Sequence, residues 1–170
     1  VEELLDFSRF VSGRIKLEED EFDIKTTIEM IGKQLRPRAN NNKIDFIVNV
    51  QSNLGSFIGD ENRIKQVLIN LLDNAFKFTA EGGKVELNAY RENDILVLEV
   101  KDNGIGIPEE DLSRVKEKFY KGKNSKSHSG IGLSICDEIV KLHNGTMDIY
   151  SILNVGTRVV IKLPMKEDII

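Results

Sequence analysis

The 170-residue sequence predicts an α+β fold rather than a doubly wound α/β fold. First, stretches with the helical periodicity of apolar residues lie between stretches in which apolar and polar residues alternate. Second, the strand pairs 84–90 with 95–101 and 146–152 with 156–163 are close enough in sequence to form antiparallel hairpins. Third, the length fits one domain, or one domain with an attached element, and such a chain buries about 70% of its unfolded surface.

The N-terminal part of the chain predicts two helices separated by a charged connector. Residues 1–12 carry apolar residues at helical spacing, and Gly13 follows in the position that commonly ends a helix. The charged stretch KLEEDE comes next and predicts a connector. Residues 24–40 predict the second helix. Its apolar positions are Ile24, Ile28, Ile31 and Leu35.

The middle of the chain predicts short strands around one long helix. Residues 44–50 alternate and predict a strand, and the tripeptide FIG predicts a shorter one. Residues 61–77 have the strongest helical pattern in the chain. Their apolar face is formed by Ile64, Val67, Leu68, Leu71, Leu72 and Ala75. The turn 80–83 leads into the first hairpin, which ends at the glycine-rich loop 102–108.

The C-terminal part predicts two helices around a polar segment, followed by the second hairpin. Residues 109–117 have a weak helical pattern. Residues 121–130 contain no apolar side chain and predict a mobile loop. Residues 131–142 predict a helix, on which Cys136 is expected to be a small buried residue.

Composition and charge exclude several function classes. The 24 basic and 28 acidic residues give a net charge of −4, which offers no electrostatic reason to propose nucleic acid or an anionic membrane as a partner. A single cysteine excludes a disulfide framework and a cysteine-based zinc site. No apolar run reaches the length of a membrane span. Because the chain begins at Val1, we expect it to be a piece of a longer protein.

A polar stripe runs along the helix of residues 61–77. Asn70, Asn74 and Lys77 lie within roughly 60° of one another, beside the apolar face. One interpretation is a solvated helix face. Asparagine is nevertheless a poor residue in the middle of a helix, which favours the wall of a cleft. There an amide oxygen can ligate Mg²⁺ and the ammonium can meet phosphate oxygens.

Two glycine-rich motifs are further candidates for a binding site, in addition to the polar stripe. In DNGIGIP, Gly104 and Gly106 allow close backbone approach and positive φ, and Asp102 at the strand end can accept a hydrogen bond from an exocyclic amine. In SGIGLSI, free N–H groups at the start of a helix can hold phosphate. Each motif alone is weak, because such glycines are common in turns and at helix starts. The sequence contains neither a P-loop nor a G-x-G-x-x-G motif.

Together and in this order, the motifs resemble those of the catalytic and ATP-binding domain of sensor histidine kinases, in the superfamily of the gyrase, Hsp90 and MutL ATPases. RIKQVLINLLDNAFKFT is similar to the N box, DNGIGIP to the G1 box, EKFY to part of the F box and SGIGLSI to the G2 box. HNG and VGTRVVIKLP are similar to the closing hairpin. The resemblance covers essentially the whole chain.

The resemblance implies an ATP site with one Mg²⁺. Asn74 would ligate the metal, Asn70 would line the same site and Lys77 would contact phosphate, which makes these three the catalytic residues. Asp102 would accept from the adenine amine. The implied nucleotide-binding residues are Asn70, Asn74, Lys77, Asp102, Gly104, Gly106, Ile107, Phe119, Tyr120, Lys121, Gly130, Ile131, Gly132 and Leu133.

The resemblance also implies an architecture and a reaction. The fold would be a two-layer α/β sandwich of the Bergerat type, a mixed sheet of about five strands covered by three helices. Residues 1–13 would end the dimerisation helix, 14–22 would be a linker, and 23–170 the catalytic domain, with an ATP lid at about 119–130. The enzyme would be a cytoplasmic protein-histidine kinase. Its partners would be its own dimerisation and phosphoacceptor domain, as a homodimer, and a response regulator, with no nucleic acid and no direct membrane contact.

Neither histidine of the chain lies in an acceptor context. His128 is predicted in a loop between two serines, and His143 at the end of a helix, where the dipole favours it. The phosphoacceptor is therefore expected upstream of Val1. Two alternatives remain: an ATP hydrolase, which would need a glutamate where Asn70 stands, and a nucleotide-sensing scaffold without phosphotransfer.

Overall fold

The computed structural model describes residues 16–106 and 129–166. The predicted helices 1–12 and 109–117 lie outside these residues, as does most of the polar segment 121–130.

The described residues form three helices and seven strands, and all of them except the first strand lie close to the predicted bounds. In chain order they are β1 (Asp20–Asp23), α1 (Ile24–Asn41), β2 (Asp45–Val50), β3 (Ser56–Gly59), α2 (Glu61–Phe78), β4 (Lys84–Glu92), β5 (Ile95–Asp102), α3 (Ser129–Leu142), β6 (Thr146–Ile152) and β7 (Gly156–Pro164). The largest shift at a helix end is at α3, which begins two residues earlier than predicted, so the predicted loop is wrong at residues 129 and 130.

Five of the strands form one mixed sheet in the order β2-β4-β5-β7-β6. Strands β2 and β4 are parallel, and the chain between them passes through β3 and α2. The other three pairings are antiparallel, and two of them are the predicted hairpins β4–β5 and β6–β7. The α+β class and the five-stranded mixed sheet are thereby confirmed.

The hydrophobic core lies between the helices and one face of this sheet. Apolar residues recur at helical spacing on α1, α2 and α3, and at every second position on the central strands. Buried examples are Ile28, Ile31, Leu68, Leu72, Leu87, Leu98, Ile135, Ile139 and Ile161. Cys136 is also fully buried in this core, as predicted. The polar stripe of α2 therefore lies at the edge of the core.

The predicted connector contains a strand. Strand β1 pairs antiparallel with β3 in a separate two-stranded sheet, and Phe22 lies opposite Phe57. The two rings meet edge to face with their centroids 5.8 Å apart. Phe22 is the single apolar residue between Leu17 and Ile24, so the surrounding charges gave no alternating pattern by which to detect the strand.

Among the helices in the described part of the chain, none is both long and apolar enough to cross a bilayer.

Candidate functional site

Helix α2 presents the polar stripe at the edge of the core. The helix begins at a defined point, because the side chain of Asp60 accepts a hydrogen bond from the backbone N–H of Arg63 and caps its N-terminus. About three to five turns later, Asn70 and Asn74 are half-buried and Lys77 is exposed. This graded exposure confirms the predicted placement of the stripe beside the apolar face. A ligand in contact with α2 would therefore meet two amides and an ammonium on one helix edge.

The two asparagines have different surroundings. The Nδ2 atom of Asn70 lies 4.0 Å from Sγ of Cys136 on α3, and this thiol also contacts the carbonyl oxygen of Val67 at 3.8 Å. The side chain of Asn70, on α2, is thus held weakly against α3. The carboxamide of Asn74 has no hydrogen-bond partner within the described ranges. Within those ranges, no other group competes with a ligand for its oxygen.

A carboxylate beside the stripe is already paired. Asp73 forms an ion pair with Arg38 of α1. Burial raises the pKa of Asp73, while the charges of Arg38 and Lys77 act in the opposite direction. Within the described residues, no group of three His, Cys, Asp or Glu side chains could hold a metal. A magnesium ion here would depend on amide oxygen, water and substrate phosphates, which is the environment that Mg²⁺ commonly has in phosphate-binding sites.

Asp102 ends β5 with one carboxylate oxygen engaged and the other open. Oδ1 accepts hydrogen bonds from the N–H groups of Gly104, at 2.8 Å, and Thr157, at 3.3 Å. No donor among the described residues reaches Oδ2. Burial raises the pKa of Asp102, and the two N–H donors partly offset that rise. The side chain is therefore oriented by two backbone donors and keeps an acceptor for a ligand amine.

The loop after Asp102 is fastened to the end of α2. The N–H of Ile105 donates to the carbonyl oxygen of Phe78 at 3.1 Å. A Cβ atom at Gly104 would lie 2.3 Å from that same oxygen, so only glycine permits this approach. Gly106 has a φ of 74°, and a Cβ there would lie 2.3 Å from the carbonyl oxygen of Ile152. Both predicted properties, close approach and positive φ, are confirmed.

Helices α2 and α3 pack side by side and run antiparallel. The end of α3 meets the start of α2 through His143 and Asp60, and the middle of each helix meets at Cys136 and Asn70. The first turn of α3 consequently lies at the level of the second half of α2, where Asn74 is. Gly130 and Gly132 belong to that turn together with Ile131 and Leu133. Its leading N–H groups have no intrahelical acceptor and could face an anion.

The structure therefore brings together three of the predicted site elements, namely the α2 stripe, the loop of Asp102 and the first turn of α3. The remaining predicted residues, Ile107, Phe119, Tyr120 and Lys121, lie outside the described residues.

His143 directly follows the last residue of α3, as predicted, and it is buried. Its Nε2 atom accepts a hydrogen bond from the backbone N–H of Asp60 at 3.0 Å, and Nδ1 lies 2.8 Å from the carbonyl oxygen of Ile139. The first contact requires an unprotonated Nε2, so the ring carries its proton on Nδ1. Both nitrogens are occupied, which gives His143 a structural role that the sequence pattern did not reveal. The nearby buried carboxylate of Asp60 was also not predicted, although an aspartate just before a helix signals a cap.

Comparison with known proteins agrees with this arrangement. Residues 59–167 match the family model described as histidine kinase-, DNA gyrase B- and HSP90-like ATPase. The chain belongs to this ATPase family. The match contains all three elements of the candidate site.

Curated relatives are sensor kinases. The chain is 34% identical over 172 residues to the autoinducer 2 sensor kinase/phosphatase LuxQ of Vibrio cholerae, covering 96% of this chain and 20% of that protein. It is 31% identical over 174 residues to the sensor histidine kinase WalK of Bacillus subtilis, covering 99% of this chain and 24% of that protein. The chain thus spans about a quarter or less of these two relatives, and it is an ATP-binding domain of the sensor histidine kinase type.

Solved structures of the family have the same fold. The full-length histidine kinase ShkA in complex with AMPPNP superposes with a TM-score of 0.86 at 27% identity, covering 99% of this chain and 35% of that one. The catalytic domain of the histidine kinase ThkA superposes with a TM-score of 0.78 at 28% identity, covering 88% of this chain and 99% of that one.

Proposed function

We propose that this chain binds Mg·ATP and delivers the γ-phosphoryl group to a histidine on dimerisation helices upstream of it. The observation that carries the proposal is the pairing of an oriented carboxylate, Asp102, with the stripe of Asn70, Asn74 and Lys77. The carboxylate suits an amine on a planar base, and the polar stripe suits a metal-bound polyphosphate. A complex of ShkA with AMPPNP, a nucleotide analogue, supports a nucleotide as the ligand.

The chemistry of each side chain fits its proposed partner. The open Oδ2 atom of Asp102 accepts from the adenine amine. The amide oxygen of Asn74 is the proposed protein ligand of Mg²⁺, which would neutralise phosphate charge when bound. Lys77 contacts phosphate oxygens, and Asn70 lines the same wall. Gly130 and Gly132 bring backbone N–H groups to the phosphates.

The remaining predicted residues would complete the nucleotide pocket. Ile107 would line the nucleotide pocket. Phe119 and Tyr120 would lie at the base of an ATP lid, and Lys121 would belong to the lid itself. Ile131 and Leu133 would contact the nucleotide from the first turn of α3.

The acceptor histidine is proposed to come from outside the catalytic domain. His143 is buried with both ring nitrogens hydrogen-bonded, so it offers no free nucleophile. We propose that residues 1–13 end the dimerisation helix, that 14–22 connect it to the catalytic domain at 23–170, and that the lid spans about 119–130. The homodimeric kinase would then pass its phosphoryl group to an aspartate of a response regulator.

Hydrolysis of ATP is the less favoured alternative. A hydrolase needs a base to activate water, and a carboxamide cannot accept a proton near neutral pH. Position 70, one turn before the proposed metal ligand, holds Asn70, whose amide nitrogen contacts Cys136. A kinase needs no such base in this domain, because the attacking imidazole is already a nucleophile.

Incubation of the isolated chain with γ-labelled ATP and Mg²⁺ tests this assignment. We expect the chain to bind Mg·ATP, to remain unlabelled and to hydrolyse ATP negligibly, since His143 is buried and hydrogen-bonded, His128 is not expected to be an acceptor, and position 70 carries no base. Equilibrium binding and phosphate release are measured on the same preparation. Acid-labile label on the isolated chain that disappears in His143→Gln or His128→Gln would contradict the proposal, as would rapid release of phosphate.

A further inference from the structure

We infer that Asp60 joins the incoming segment, defined as residues 16–19, to the nucleotide-binding helix and so positions the domain for phosphoryl transfer. This inference rests on the proposed function, because the segment is proposed to connect the domain to its acceptor helices. It concerns a positioning residue outside the nucleotide site.

The two carboxylate oxygens of Asp60 serve two different parts of the chain. Oδ1 accepts from the N–H of Arg63 at 3.2 Å and caps α2. Oδ2 accepts from the N–H of Glu18 at 2.9 Å, across 42 residues of sequence. The residue is buried, with 6% of its surface exposed. A cap needs only one acceptor oxygen, so the second oxygen is available to bind the incoming segment.

The backbone of Asp60 is fixed as well. Its N–H donates to Nε2 of His143 at the end of α3, and its carbonyl oxygen accepts from the N–H of Ile64. At the preceding residue, a Cβ atom on Gly59 would lie 2.5 Å from the ring of Phe57 and 2.9 Å from that of His143. Strand β3, helix α2 and helix α3 therefore meet at Asp60, and Glu18 is attached to that junction.

Other contacts of the incoming segment are weaker. Glu19 forms an ion pair with Lys166, 2.7 Å apart, but both side chains are substantially exposed, and such pairs contribute little. Leu17 is half-buried, while Lys16, Glu18 and Glu19 are exposed. Among the described contacts of this segment, the hydrogen bond from Glu18 is the one that ends on a buried carboxylate, so it is charge-assisted and little screened by solvent.

The length of α2 amplifies any change of angle at Asp60. Asn74 is 14 residues along α2 from Asp60, a distance of about 21 Å at 1.5 Å per residue. A change of about 10° in the angle at Asp60 would shift the phosphate site by roughly 4 Å relative to the incoming segment. Transfer rates fall about 100-fold for misplacements near 1 Å. Loss of the Glu18 bond should therefore impair transfer while leaving nucleotide binding intact.

The test uses Asp60→Ser and Asp60→Asn in the chain extended upstream by its dimerisation helices. Serine and asparagine both cap helices well, so α2 keeps its cap and the melting temperature should change little. Serine lacks the second oxygen, and asparagine presents an N–H₂ group to the N–H of Glu18. Asp20→Ser is the matched control, because the exposed Asp20 carboxylate accepts only from the adjacent N–H of Glu21 among the described residues.

We expect faster hydrogen exchange at the Glu18 amide, a 10- to 100-fold lower rate of histidine phosphorylation and an unchanged Kd for AMPPNP in both Asp60 variants. An unchanged phosphorylation rate would overturn the inference. So would a loss of AMPPNP affinity large enough to explain the slower rate, since Asp60 would then act through the nucleotide site. Failure of the unsubstituted extended chain to phosphorylate would instead contradict the proposed function, and the two failures are thereby distinguished.

Discussion

Replacing Asn74 with alanine is expected to lower Mg²⁺-dependent ATP affinity by on the order of 100-fold. Residues that only support a metal ligand typically contribute 10–100-fold to metal affinity, so removal of the proposed ligand itself should reach at least the upper value. The neighbouring carboxylate of Asp73 cannot easily substitute, because it is paired with Arg38. Titration calorimetry with ATP, with and without Mg²⁺, measures the effect.

Two companion variants make this result specific. Asn62→Ala makes the same substitution on an exposed residue in the first turn of α2 and should leave binding unchanged. Asn74→Asp keeps an oxygen ligand but adds a negative charge, so it should retain more Mg²⁺ dependence than alanine does. Unaltered Mg²⁺-dependent affinity in Asn74→Ala would refute the metal assignment.

Replacing Asp102 with alanine is expected to weaken ATP binding by about 1–3 kcal/mol, or roughly 5- to 150-fold, while barely changing GTP binding. The adenine amine would lose its acceptor in a partly dry pocket. Guanine carries an oxygen at the corresponding ring position and gains nothing from the carboxylate. Competition binding with the two nucleotides measures the difference, and Asp148→Ala, at an exposed site on β6, is the matched control. Equal ATP affinity in Asp102→Ala and the unsubstituted protein would make Asp102 a purely structural residue.

The same carboxylate should reduce the stability of the nucleotide-free domain. Burial raises the pKa of Asp102, so folding favours the protonated form. The group therefore opposes folding once the pH exceeds the raised value, and it has no such effect below the ordinary carboxyl pKa of 3.8. Asp102→Asn keeps an oxygen for the two N–H donors and removes the buried charge. At neutral pH, each kcal/mol gained in the free energy of unfolding should raise the melting temperature by about 2–4 °C. This gain should vanish in acid.

The sequence predicted the fold and the polar stripe because both follow from local periodicity. Helix α2 carries six apolar residues on one face and the pair Asn70 and Asn74 beside it, a pattern that needs no tertiary information. The hairpins were likewise apparent from alternation and turn residues. Strand β1 was missed because its one apolar side chain, the half-buried Phe22, packs against a partner 35 residues away.

The junction at Asp60 could not be predicted from the sequence, because its contacts join residues far apart in the chain. An aspartate before a helix predicts a cap, but nothing local indicates that its second oxygen binds Glu18 or that its N–H meets His143. His143 was correctly predicted at the end of a helix, but its burial was not, because the covering residues lie on β3, which is distant in sequence. Functional residues on one helix can be predicted from spacing alone, whereas residues that connect elements require the structure.

The central claim is phosphoryl transfer to an upstream histidine, and one labelling measurement tests it most directly. The chain extended by its dimerisation helices is incubated with γ-labelled ATP and Mg²⁺, and the product is treated with acid and with base. We predict label that is lost in acid, survives in base and disappears when the upstream histidine is replaced. Absence of such label, in a protein that still binds Mg·ATP, would contradict the account.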